Sequence, residues 1–116
     1  MSIWSALVSL LLAAALIYSA LRKLSHRPDV VAAYARVGVP PAKLDYLAAI
    51  LLAGSAGLVV GLFWAPLGIA AAACLVVYFA LAASAHVRAD DLRNLPTPVV
   101  IELLALAALV LQLEAA

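Results

Sequence analysis

The stretch YLAAILLAGSAGLVVGLFWAPLGIAAAACLVVYFALAASA, residues 46–85, carries no charged side chain over forty consecutive positions. A helix rises about 1.5 Å per residue and the hydrocarbon core of a bilayer is about 30 Å thick, so roughly twenty apolar residues make one crossing. Forty residues make two crossings, and Trp64-Ala65-Pro66 punctuates the middle. Tryptophan prefers the membrane interface, and proline fits the first turn of a helix. The stretch therefore divides into spans near 46–64 and 66–85.

Two further spans flank this pair. Ile3 to Leu21 is uncharged, giving a span near 3–22, and Arg22-Lys23 follow it directly. A secretory signal has its basic residues before the apolar run and a small-residue cleavage site after it. Here the polarity is reversed, so the run is read as a retained first span. After Leu95-Pro96-Thr97-Pro98 a fourth span runs near 98–113, with Thr97 expected as N-cap and Pro98 at the first helical position. It is the only span containing a charge, Glu102. The expected fold is all-α, a single four-helix transmembrane domain over residues 1–116.

Composition points the same way. Hydrophobic residues make up 69% of the 116-residue chain and charged residues 11%, against roughly 25% charged in an average soluble domain. Too few polar side chains exist to cover a water-exposed surface, so the apolar excess must face lipid. A net charge of +1 gives no footprint for nucleic acid. The lone Cys74 permits no intrachain disulfide, and neither CxxC nor Cys/His zinc spacing is present, so no metal site is expected.

Between spans one and two lies Pro28-Asp29-Val30-Val31-Ala32-Ala33-Tyr34-Ala35-Arg36-Val37-Gly38. Val30, Val31, Tyr34 and Val37 recur at helical spacing, Gly38 can close the helix, and Pro40-Pro41 prevents its continuation. A short amphipathic helix near 28–37, lying in the interface, is expected. In span two, Gly57-Leu58-Val59-Val60-Gly61 is a GxxxG. It is readable as a dimer face or as close packing within the bundle, and the second reading is favoured because the pattern is common.

Four spans place loops one and three on one membrane face. Loop one and its flanks hold Arg22, Lys23, Arg27, Arg36 and Lys43, and loop three holds Arg88 and Arg93. The positive-inside rule then puts both loops in the cytoplasm and both termini outside. The same geometry brings Lys23, Asp45, His86, Arg88 and Glu102 to the ends of four adjacent helices. An intramembrane carboxylate is expensive and usually faces a partner inside the bundle. Glu102 shares a face with Ala105, Leu106 and Leu109, so that stripe is expected to point inward, with Lys23, His86 or Arg88 as partner. Tyr78 and Ala82 lie along span three on the side of His86, an apolar approach with a polar end. The competing reading is that these charges only anchor span ends at headgroups.

In their order along the chain, several pieces resemble the DoxX-like family of small four-helix membrane proteins. They are Ser19-Ala20-Leu21-Arg22-Lys23-Leu24, Tyr34 to Val39 with its Arg-Val-Gly-Val-Pro, the GxxxG at 57–61, Ala85-His86-Val87-Arg88-Ala89-Asp90, and the prolines before span four. Many relatives carry an acidic residue shortly before the GLxxG of span two, where this chain has Leu51, and Asp45 is too far along the helix to replace it. The resemblance implies a four-helix membrane bundle. The family name derives from a membrane subunit of a thiosulfate:quinone oxidoreductase, and other members are linked to redox or oxidative-stress complexes.

Two function classes follow. The first is a non-catalytic membrane subunit of a redox complex, binding a partner protein and a lipophilic ligand such as a quinone. The second is a small enzyme acting on a terpenoid or sterol-like substrate by isomerisation, epoxide opening or cyclisation. There Glu102, Asp45 or His86 would move a proton, and Lys23, Arg88 and Tyr78 would hold the ligand. A haem held by His26 and His86 is disfavoured, because His26 falls in a turn beside Pro28. Transport is disfavoured too, since no polar ring crosses the midplane. A homo-oligomer is left open.

Overall fold

A computed structural model of the chain describes residues 3–90 and 95–115, and it is helical in the order α1 (Ile3–Ser25), α2 (Pro28–Arg36), α3 (Pro41–Val60), α4 (Ala65–Arg88) and α5 (Pro96–Ala115). α1, α3, α4 and α5 are each long and apolar enough to cross a membrane. They form a four-membered ring: α1 packs on α3 and α5, α4 packs on the same two helices, and no Cα atoms of the diagonal pairs come within 8 Å among the described residues. The long axis measures 40 Å, close to the ~40–45 Å of a bilayer with its headgroups. Large apolar side chains such as Leu11, Tyr46, Val77 and Leu103 point outward. No more than a third of any span's apolar window is buried. In water that surface would be untenable; in lipid it is already in its preferred solvent.

Several helix boundaries differ from the sequence expectation. α3 begins at Pro41 instead of residue 46, with Pro40 extended ahead of it (φ −71°, ψ 157°). Lys43 and Asp45 thus lie within the helix, because a proline at the first position loses no hydrogen bond and polar residues can extend a helix beyond the hydrocarbon. α3 also stops at Val60, and residues 61–64 form the turn into α4. α5 begins at Pro96, and Val99 N–H donates to the Leu95 carbonyl at 3.2 Å. Thr97 is therefore inside the first turn instead of being the N-cap. α4 continues through His86 to Arg88.

α2 closes as its sequence indicated. Gly38 adopts φ 84°, its N–H donates to Ala35, and Val39 N–H donates to Tyr34, the paired bonds of a Schellman ending. Val30 is buried, while Ala32, Ala35 and Arg36 face out.

Small residues set how close the spans approach. A Cβ on Gly57 would lie 2.8 Å from the Ala71 Cβ, and one on Gly61 would collide with the Gly68 backbone. Both glycines of the GxxxG thus face α4 inside the bundle, the packing reading. Polar links join the spans where lipid gives no contrast to orient them. Ser55 Oγ donates to the Ala13 carbonyl at 3.2 Å, and Gln112 Nε2 donates to Ser9 Oγ at 3.0 Å. The second link helps fix the rotation of α5. Its inward stripe is Ile101, Ala105, Ala108 and Gln112, while Leu106 is 40% exposed. Of the expected Glu102–Ala105–Leu106–Leu109 stripe, Ala105 faces inward and Leu109 packs partly against the core, while Leu106 is turned out.

Candidate functional site

The inward stripe of α1 is Ser5, Ser9, Leu12, Leu16, Ala20 and Lys23. The steps of three and four residues continue to the last turn, so the stripe that buries the leucines also buries Lys23, which is 2% exposed. Its Nζ donates to Ser19 Oγ at 2.9 Å and lies 4.8 Å from the centre of the Tyr34 ring, contributed by α2. No carboxylate lies within ion-pair distance of it among the described residues. An ammonium withdrawn from water without a counter-ion is costly. A hydroxyl and an aromatic face recover only part of that cost.

Lys23 stands on the wall of a cavity of about 120 Å³ at this end of the bundle, near the ~150 Å³ that admits a single aromatic ring. Arg22, Lys23, His86 and Thr97 contribute polar groups to its wall, and Phe79, Ala82 and Ile101 apolar ones. Tyr78 lies on the wall, its ring edge-on to Phe79 with centroids 4.9 Å apart. α2 completes the enclosure with Val30, Ala33 and Tyr34.

The structure thus brings together Lys23, His86 and Tyr78, three of the six residues singled out from the sequence. The other three lie elsewhere. Asp45 Oδ1 is 2.8 Å from His26 Nε2, an exposed link between the end of α1 and the start of α3. Arg88 is exposed at the last position of α4. Glu102 is not among the lining residues. Its Oε1 is buried without a hydrogen-bond partner, and no ion pair joins it to Lys23, His86 or Arg88 among the described residues. Of the two histidines considered as haem ligands, only His86 lines the cavity. Arg93 lies outside the described residues.

Ser19, Arg22, Tyr34, Thr97 and Ile101 also line the cavity, and the sequence reading had not assigned them there. Ser19 could have been found, since it lies four residues before Lys23 on the same helix face. Tyr34 could not, because only the docking of α2 onto the bundle end brings it over the ammonium. Leu51, at the position where an acidic residue was expected from the resemblance, is fully buried in the apolar core.

These features define a polytopic helical membrane protein, a ring of four spans with a ligand-sized, cation-rimmed cavity at one end. The model of the DoxX-like family matches residues 7–108, and the chain belongs to that family. Comparison with curated proteins and with solved structures gives no match.

Proposed function

We propose that the protein binds a lipophilic small molecule with acceptor oxygens, quinone-like in size and polarity, as a membrane component of a redox assembly. The observation that carries this reading is Lys23, buried on the cavity wall without a carboxylate partner among the described residues. A bundle that needed only packing would be better served by an apolar side chain there. A carbonyl oxygen on a ring seated against Phe79 and Ile101 would accept a bond from the ammonium; Thr97 and His86 also line the cavity. The redox assembly rests on the family relationship alone.

The acid–base enzyme remains as a second reading in altered form. The proton-carrying side chains on the cavity wall are Lys23, Tyr34, Tyr78 and His86, so the chemistry would run through these and not through Glu102 or Asp45. By the positive-inside rule, the basic residues of loops one and three support a cytoplasmic cavity mouth. Reporter fusions to both termini should then read outside, and a cytoplasmic terminus would reverse this orientation.

A photoreactive azidoquinone added to the purified protein in lipid nanodiscs tests the binding reading. Labelling is expected on α1, α2 and α4 around the cavity and is expected to fall in Lys23→Met. Labels scattered over the lipid-facing surface, equal in wild type and variant, would refute it.

A further inference from the structure

We infer that the head group seated in this cavity is negatively charged, so that the ligand is an anionic amphiphile: an oxyanion carried on an apolar body. The inference rests on the proposal that the cavity binds a lipophile, and it specifies which kind.

The charge on the cavity wall is one-sided. Arg22 and Lys23 are cationic side chains, and no aspartate or glutamate lines the cavity among the described residues. The helix termini do not correct the imbalance. α1 and α4 end here and α3 and α5 begin here, so two partial negative and two partial positive ends roughly cancel. Asp29 and Asp45 are engaged by Arg27 at 3.6 Å and His26 at 2.8 Å, and Asp90 after α4 and Glu102 in α5 do not line the cavity. What remains is the side-chain charge.

The ammonium also has capacity left. It has three N–H donors; one goes to Ser19, and one side of it lies over the Tyr34 ring. A neutral carbonyl would use a remaining donor and leave the buried charge uncompensated. An oxyanion would satisfy both, in a charge-assisted bond roughly twice as strong as a neutral one. From Tyr78 to His86 the wall runs eight residues along α4, roughly 12 Å. That length holds a head at the rim and the first part of an apolar body beneath it. The oxyanion could be the carboxylate or phenolate of a free single-chain molecule, or the phosphodiester of a bilayer lipid.

Binding of cis-parinarate, a fluorescent fatty acid, to the full chain in phosphatidylcholine nanodiscs tests this, with empty discs subtracted. Oleate is expected to displace it at least about tenfold more effectively than oleyl alcohol, a discrimination of the size one charge-assisted bond supplies. Lys23→Met should erase the difference, and Lys23→Arg should retain it, which controls for misfolding. Displacement by phosphatidylglycerol introduced into the discs would support the inference and identify a bilayer lipid as the source. Equal displacement by oleyl alcohol would overturn it, as would binding of a radiolabelled neutral quinone where parinarate does not bind. Either result leaves the lipophile proposal standing. Binding of neither probe would remove that proposal as well.

Discussion

Replacing Lys23 by methionine keeps the length of the side chain and removes its charge, which separates a binding role from a structural one. The losses are the bond to Ser19 Oγ at 2.9 Å, about 1.5–3 kcal/mol for a bond to a charged group, and the contact with the Tyr34 ring at 4.8 Å, about 0.5–2 kcal/mol. Against them stands the desolvation of an ammonium that is 2% exposed and has no carboxylate partner among the described residues, effectively several kcal/mol. Ser19 is not stranded by the change, since a helical serine can bond back to the carbonyl four residues earlier. Buried ionic groups replaced by apolar ones of like volume are commonly neutral or stabilising by about 1–4 kcal/mol. Lys23→Met is therefore expected to leave the ligand-free bundle as stable as wild type or up to about 2 kcal/mol more stable, while ligand binding falls by about tenfold or more. Titration with sodium dodecyl sulfate in mixed micelles, followed by circular dichroism, measures the first quantity, and parinarate displacement the second. A loss of more than about 2 kcal/mol would show that Lys23 holds α1, α2 and the bundle together, and the argument for a binding site would fail.

Gly57→Ala should clash with Ala71, and Ala71→Gly should relieve it. After the helix preference for alanine over glycine is cancelled in the double-mutant cycle, a coupling of about 1–3 kcal/mol is expected. A coupling near zero, with a dimer dissociating instead, would assign the GxxxG to an oligomer interface. Glu102→Gln should raise stability, because it removes a membrane-embedded charge. It should also leave ligand displacement unchanged, and a loss of about tenfold would bring Glu102 into the site. Asp45→Asn, which weakens an exposed pair with His26, should lower stability by less than about 1 kcal/mol, an effect that shrinks in molar salt. A larger, salt-independent loss would show that the link to α1 is structurally required.

The four spans and α2 were legible in the residues because crossing a membrane imposes a length and an apolarity that composition alone reports. Gly38 marked the end of α2 closely, whereas α3 began at Pro41, five residues before the expected start. The rotation of α5 was not legible. In a soluble protein the apolar side of a helix identifies its inner face, but in lipid every face is apolar and that contrast vanishes. Glu102 looked like the inward group on the general expense of a membrane charge. The burial of Gln112 against Ser9 and the small side chains of Ala105 and Ala108 turned the helix elsewhere.

Lys23 shows the division within one residue. Its place at the end of the first span, beside other cations, follows from the chain itself. That it is buried instead of anchored at headgroups depends on α1 keeping its inner stripe to the last turn and on α2 folding Tyr34 over it. Sequence alone determined how many times this chain crosses the membrane and at which end its charge collects. Only the packing of α1, α2, α4 and α5 decided which charges enclose a cavity, because that choice depends on contacts between residues far apart in the chain.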